Sequence, residues 1–462
     1  MGSEHDPAVS SVEPEALTVT GLVRRARARL SGGGMGARMG RGALVSLVIQ
    51  VAGAGVSFAG QIVLSRSLGR QGFGIYVVAL AAMNAAQVLG KLELDSASTR
   101  FLGAYVGTQR WSMARGFVRW SRWTLTKASV GVALVGALVV FLGWDRFLGE
   151  HSSMPYALLA ACALLPVSAR LVLNAAYLQG LKRFAEAQLA GTVVRPALLS
   201  LVLAVLYWGL HLKLSATMGV VINCITAAVS VGLTWVFLRR LWPAELRAAE
   251  PTYEKLVWWN AVGGLLVVGV SQMVVSQTLD LLVVGTILST SDSALYGAAS
   301  QLTLLVNFGQ MSVNFVAAPM IADLYARGRT QDLQRMIRMV MAASALVTVP
   351  VLVGLVVFGR YVLRLYGHEF EAAYPVLVVL TLASSWVSLV GSLAGFLLTM
   401  TDYQKDAARI IGASAVLNLV LTLTLTPMFG MMGTAFATLA ACVTRGLALA
   451  VFIRRRMGLR ML

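Results

Sequence analysis

Four charged side chains, Arg170, Arg195, Asp280 and Arg445, lie inside stretches of sequence otherwise apolar enough to cross a bilayer. A charge exposed to lipid at mid-membrane costs about 3 kcal/mol even on the gentler insertion scale, so each of these must face protein or water. Guanidinium groups pair with phosphate in a two-pronged geometry, which equips Arg170, Arg195 and Arg445 to attract an anionic head group. Each is also long enough to snorkel towards a head-group region, a use that involves no ligand. Asp280 has two readings, an ion or proton site and a counter-ion to one of the arginines.

Around these charges run stripes of neutral polar residues. The first apolar span carries Gln50, Ser57 and Gln61, and the second carries Asn84, Gln87 and Lys91. The seventh carries Gln272, Ser276 and Asp280, and the eighth Asn307, Gln310 and Asn314. Spacings of three, four and seven place each set on one helical face. Helix-to-helix hydrogen bonding, at roughly 0.6 kcal/mol per bond, would account for any one of them. Four stripes on the first two helices of each half point instead to a hydrated cavity.

Other chemistries lack their residues. Cys162, Cys224 and Cys442 all fall inside apolar spans, where cysteine behaves as a small hydrophobe. His5, His151, His211 and His368 lie in the tail or in connections without ligand spacing, so no metal or other cofactor is expected. The sequence has no Gly-rich loop ending in Lys-Ser/Thr, which argues against an ATP-driven pump.

The elements that hold these residues are membrane spans. Hydrophobic residues make up 58% of the 462 and charged residues 13%, and mean hydropathy is +0.76. Soluble domains carry about a quarter charged residues, so the chain reads as an all-α polytopic membrane protein. The net charge of +18 does not indicate a nucleic-acid partner, because the basic residues sit between spans instead of on one soluble face.

Twelve spans are predicted, each near the ~20 residues that a crossing helix needs. The first six cover 43–65, 73–93, 120–143, 155–178, 188–208 and 215–238, and the second six 257–288, 294–320, 337–358, 374–398, 408–426 and 431–453. The seventh is overlong: it is tilted, bent at Gly263, Gly264 and Gly269, or begins as an interfacial helix. With a cytoplasmic N-terminus, 28 Lys and Arg fall in inner segments and six in outer ones. That asymmetry places both termini on the cytoplasmic side of the cytoplasmic (inner) membrane.

The spans form a tandem duplication. At an offset of 220 residues Leu68 falls on Leu288, Tyr76 on Tyr296, Tyr105 on Tyr325, Arg115 on Arg335 and Pro155 on Pro375. Six crossings per copy make the copies parallel, with one bundle expected to rock against the other. The charges were not copied: Arg170 falls on Val390, Arg195 on Ala415, and Asp280 on Gly60. The expected organisation is a basic disordered tail (1–42), a six-helix bundle (43–238), a cytoplasmic linker (239–256), a second bundle (257–453) and a basic tail (454–462). The connection 96–119, rich in Arg and aromatic residues, reads as an interfacial amphipathic helix, with 323–338 as its counterpart. Glu93, Asp95 and Arg100 are expected to form an ion-pair cluster at the end of the second span, and Pro196 to disturb the helix beside Arg195.

The segment Ser67-Leu-Gly-Arg-Gln-Gly-Phe-Gly-Ile-Tyr76 resembles the first outer loop of polysaccharide exporters and O-antigen flippases. These belong to the multidrug/oligosaccharidyl-lipid/polysaccharide exporter superfamily. The resemblance continues in Arg100-Phe-Leu-Gly-Ala-Tyr105, Leu279-Asp280, Ala318-Pro319 and Gly430-Met-Met-Gly-Thr-Ala435, and covers residues 43–455. It implies a V-shaped pair of six-helix bundles whose first, second, seventh and eighth helices line a central cavity. It also implies a lipid-linked sugar as cargo, its head passing through the cavity while the polyprenyl tail stays in lipid.

The resulting expectation is a flippase, not an enzyme, that moves an undecaprenyl-diphosphate-linked oligosaccharide outward for cell-surface polysaccharide such as the O-antigen of lipopolysaccharide. Arg170, Arg195 and Arg445 would attract the head group, and Gln61, Asn84, Gln87, Asn307, Gln310 and Asn314 would meet sugar hydroxyls. Membrane lipids are expected partners, with a polysaccharide polymerase and glycosyltransferases as further candidates. Two alternatives stay open. A cation-coupled drug or metabolite antiporter of the same superfamily is disfavoured by the three intramembrane arginines and by a first span without an acidic residue. A non-transporting scaffold for a polysaccharide assembly complex would make use of the basic tail.

Overall fold

The computed structural model describes residues 35–143, 153–275, 277–306, 330–399 and 403–459, and residues 49–462 form one compact unit. Every regular element among the described residues is helical. Nine of the helices are long and apolar enough to cross a membrane, and they take up ten of the twelve predicted spans.

The first two spans run together as α1 (Val48–Lys91). They are separated by Gly69, at φ +68°, a conformation that an L side chain rarely adopts and that lets the chain turn between crossings. Next come α2 (Leu94–Gly107) and α3 (Trp111–Leu142). The predicted interfacial segment is therefore two elements. α2 buries Leu94, Ala97, Leu102 and Tyr105, while residues from Trp111 onward already belong to the third crossing.

The first repeat is completed by α4 (Met154–Gly180), α5 (Phe184–Gly209) and α6 (Ala216–Leu241). α5 is interrupted by a π-helical stretch, Leu189–Val194, immediately before Arg195 and Pro196. Such bulges insert an extra residue per turn and occur often at functional positions. A five-residue helix, α7 (Ala244–Ala248), lies in the linker.

The seventh span is described on either side of position 276, as α8 (Lys255–Val275) and α9 (Gln277–Ile287), and α8 continues through Gly263, Gly264 and Gly269 without interruption. The eighth span is described only as α10, residues 290–306. Its stripe residues Asn307, Gln310 and Asn314 lie outside the described residues, as does the repeat landmark Tyr325. The rest are α11 (Gln331–Tyr366), α12 (Tyr374–Trp386, continued by a π-helical stretch Val387–Gly391), α13 (Gln404–Phe429) and α14 (Met431–Met457).

The apolar core is divided unequally along the helices. At the end carrying the 66–72, 288–293 and 366–373 connections, one cluster combines both repeats, from Leu64, Phe73 and Tyr76 to Tyr296, Tyr366 and Phe370. At the opposite end there are two clusters. One packs Leu102, Phe117 and Tyr177 of the first repeat against Trp258 and Val262 of α8, and the other gathers Ile337, Leu397, Leu449 and Ile453 of the second repeat. Among the described residues the repeats are therefore joined broadly at the first end and through α8 at the second, which holds most of the arginines.

Candidate functional site

The closed end is sealed by backbone acceptors and aromatic edges. Ser65 Oγ donates to the Tyr366 carbonyl at 2.9 Å and Arg66 Nε to the Leu365 carbonyl at 2.7 Å. The ring of Tyr366 meets Phe58 and Phe73 edge-on at 5.9 and 6.3 Å. Arg70 faces Asp292 at 3.8 Å. Gly74 permits the tightest approach, since a Cβ there would collide with the Thr290 carbonyl.

The faces that form this seal continue into the polar stripes. On α1, Val77 packs on Gly297 of α10. Asn84, two helical turns further and on the same face, is exposed. Gln87, one turn beyond, is half-buried. Gln61 sits between Phe58 and Ser65, both of which touch Tyr366, and it too is half-buried. The apolar contact between the repeats thus gives way, within about 10 Å along the helix, to polar side chains that are exposed or half-buried.

Lys91, next in that stripe, is engaged elsewhere. It bridges Glu93 at 2.8 Å and Asp95 at 3.0 Å, so the expected ion-pair cluster exists with Lys91 as its cation. Arg100 instead lies 5.8 Å from the Phe101 ring.

The intramembrane charges occupy three separate places. Arg195 is held inside the first repeat, donating to Asn223 Oδ1 from Nε at 3.2 Å and from Nη2 at 3.0 Å, and more weakly to Ser168 Oγ at 3.5 Å. Asn223 in turn donates to Tyr76 Oη at 2.8 Å. Arg170 lies only two residues from Ser168 on α4 but points away from it, into a recess with Thr126, Ser129 and Val231. Arg445 is half-buried on α14 in the second repeat. The three arginines do not converge.

Asp280 is 1% exposed. It accepts from Thr438 Oγ1 at 2.8 Å, Tyr296 Oη at 3.2 Å and Asn418 Nδ2 at 3.4 Å. Among the described residues no arginine forms a salt bridge with it, so its ligand set is neutral and the counter-ion reading has no contact behind it. Arg445 stands seven residues beyond Thr438 on the same face of α14, about 10 Å along the helix. A buried carboxylate served only by neutral donors is costly to ionise, which makes it a place where a proton or cation would be stabilising.

Tyr76 and Tyr296, matched by the 220-residue offset, therefore each cap a buried polar cluster, and both are almost fully buried, at 2% and 0% exposure. Their hydroxyl partners escaped the sequence reading. The signal was present as isolated Asn and Thr residues in apolar spans, Asn223, Asn418 and Thr438, but only the fold brings them to the tyrosines. The side chains of Gln272 and Ser276, which share the seventh-span stripe with Asp280, lie outside the described residues.

Comparisons with known proteins agree on the architecture. The fold is shared with an inward-facing multidrug resistance transporter of the MATE family, at TM-score 0.67 and 14% identity over 95% of this chain and 98% of the other. It is shared as well with the lipid II flippase MurJ in an inward closed conformation, at TM-score 0.66 and 13% identity over 89% and 87%. In sequence the chain is 27% identical over 161 residues to the probable low-salt glycan biosynthesis flippase Agl15 of Haloferax volcanii. It is 29% identical over 176 residues to the probable flippase AglR of the same organism. These alignments span 34% and 37% of the two relatives, and 35% and 37% of this chain. Residues 39–325, more than half of the chain, match the family described as polysaccharide biosynthesis protein, and the chain, a multi-pass membrane protein of this fold, belongs to that family.

Proposed function

We propose that this protein is a flippase that moves an undecaprenyl-diphosphate-linked oligosaccharide across the cytoplasmic membrane by alternating access, for cell-surface polysaccharide synthesis. The observation that carries the reading is the change along a single face of α1, from the Val77 contact with Gly297 to exposed Asn84. A face packed between the repeats at one end and polar towards the other suits a cavity for a sugar head group. Family membership and the likeness to probable glycan flippases support the same substrate class.

The basic end faces the cytoplasm by the positive-inside rule. Gln61, Asn84 and Gln87, with Asn307, Gln310 and Asn314 from the opposing helix, meet the sugar. Arg170, Arg195 and Arg445 raise the potential around the anionic head from separate positions and do not clamp it together. Carrying a dianionic head outward across an inside-negative membrane gains about 4 to 5 kcal/mol at 100 mV, from ~2.3 kcal/mol per charge. Asp280, with its neutral donors, is the coupling site for a proton or monovalent cation that resets the carrier. No bond is made or broken in the cycle, and a polymerase and glycosyltransferases would act on the cargo before and after it.

The test is leaflet exchange of a polyprenyl-diphosphate oligosaccharide in vesicles containing the purified chain. Exchange well above that of protein-free vesicles, slowed when the membrane potential is collapsed, is the expected result. Transport of lipophilic cations without glycan exchange would replace this reading by the antiporter.

A further inference from the structure

A second basic site lies on the flank of the first repeat, away from the α1 face. A groove of about 780 Å³ between α3, α6 and α7 is lined by Arg119, Arg122, Arg239 and Arg247, with Trp123 and Trp235 at its edge. Among the described residues none of these arginines has a carboxylate partner in an ion pair. Arg247 bonds only the Arg239 carbonyl, a neutral acceptor. Arg122 stacks at 5.5 Å on the rings of both Tyr177 and Trp242, and its buried Nε has no hydrogen-bond partner. Stacking fixes the plane of a guanidinium without neutralising it.

One level deeper between α3, α4 and α6 is a recess of about 360 Å³ lined by Leu125, Val167, Ala228 and Val231, with Arg170 at its wall. The charges of Arg122 and Arg170 are close enough to act on one another. From Arg119 and Arg239 to Ser129 and Ala228 is ten or eleven residues along each helix, about 15 Å. Trp123 and Trp235, 64% and 49% exposed, mark the level where a lipid head group meets hydrocarbon. The groove thus offers uncompensated positive charge at the height of the phosphates and, beneath it, a recess walled by Leu125, Pro166, Val167, Ala228 and Val231 with Thr126, Ser129 and Arg170 as its polar members.

We propose that this groove binds an anionic membrane phospholipid, its phosphate against Arg119, Arg122 and Arg239 and one acyl chain in the recess beneath. Charge complementarity selects an anionic over a zwitterionic lipid, because no acidic side chain lines the groove to receive a choline or ethanolamine. The groove opens on α3 and α6, and the α1 face with Asn84 takes no part in it.

Lipid binding to the full chain in neutral detergent, read by native mass spectrometry with phosphatidylglycerol, phosphatidylcholine or pyrophosphate, tests the proposal. Phosphatidylglycerol should bind and phosphatidylcholine should not. R119Q/R239Q should weaken phosphatidylglycerol about thirtyfold, from the surface attraction of two basic side chains. R454Q/R455Q, which removes equal charge from the end of α14, should leave it unchanged. Both Arg119 and Arg239 are exposed, so the double variant should keep the thermal unfolding midpoint measured without lipid. A228F, which fills the recess, should also weaken the lipid. Unchanged phosphatidylglycerol binding in R119Q/R239Q or in A228F, or pyrophosphate binding as tight as the lipid, overturns the proposal.

Discussion

The two tyrosine-capped clusters occupy corresponding places in the two repeats and carry opposite charges. Around Tyr76 the charged group is a half-buried guanidinium, Arg195, shared with Asn223 and Ser168. Around Tyr296 it is a carboxylate, Asp280, shared with Asn418 and Thr438. What was kept on duplication is the scaffold: the tyrosine, and also Ser168, whose counterpart Ser388 is buried in the π-helical stretch of α12 without a hydrogen-bond partner. The charges entered on different helices, α5 in one repeat and α9 in the other. Gly60, the counterpart of Asp280, lies against Ser200 and Pro196 with no space for a carboxylate. A duplicated frame has thus been given two electrostatically distinct pockets, one already satisfied by a side-chain amide and one short of positive charge.

If that difference is functional, the two clusters should separate in a transport assay. Asp280→Asn keeps the shape and removes the charge. Its glycan exchange should lose its response to an imposed proton or sodium gradient and fall at least about tenfold, the effect of about 1.4 kcal/mol on a barrier. Arg195→Gln should slow exchange less and keep the gradient response. A gradient response surviving in Asp280→Asn would remove the coupling role and leave Asp280 as structure.

The second contrast is one of stability. Arg195→Met leaves Asn223 Oδ1 and Ser168 without their donor, which should destabilise the protein by about 1 to 3 kcal/mol in a denaturation series in detergent. Asp280→Asn should be neutral or mildly stabilising, because replacing a buried charge relieves its desolvation. Equal destabilisation by both variants would mean that Asp280 is held as firmly as Arg195, and the asymmetry would be one of sign alone.

Much of this frame was legible in the sequence. Hydropathy placed the crossings, because a spanning helix must be long and apolar over its whole length, and the 220-residue offset paired Tyr76 with Tyr296 before any coordinates. The irregularity at Arg195 was signalled by Pro196, and it is a π-helical stretch. The glycines of the seventh span do not break α8, since glycines inside a packed helix mark close approach as often as bending: a Cβ at Gly269 would meet the Glu93 side chain. Nor did the sequence tell that the three arginines stand apart. Arg170 and Ser168 share a helix, but two residues on an α-helix point to different sides, and only the neighbours on α3, α5 and α6 decide which side is which. The residues that complete each cluster come from spans distant in sequence, so no local pattern announces them.

The smallest effect discriminates most finely. Tyr296→Phe and Tyr76→Phe delete the same atom at corresponding positions, and both rings are buried, so the loss of packing is the same in each. Tyr296 donates to a carboxylate oxygen, an interaction worth about 1.5 to 3 kcal/mol when the carboxylate is ionised. Tyr76 accepts from the amide of Asn223, a neutral bond nearer the membrane average of about 0.6 kcal/mol. Tyr296→Phe should therefore cost more than Tyr76→Phe in the same denaturation series, by about 1 kcal/mol or more. The gap also reports the state of Asp280. If the carboxyl carries a proton in the resting protein, Tyr296 faces a neutral partner and the two substitutions should cost the same. Running the pair at high and low pH then asks whether the gap opens as Asp280 ionises, which it must if the second cluster is the one that exchanges a proton during transport.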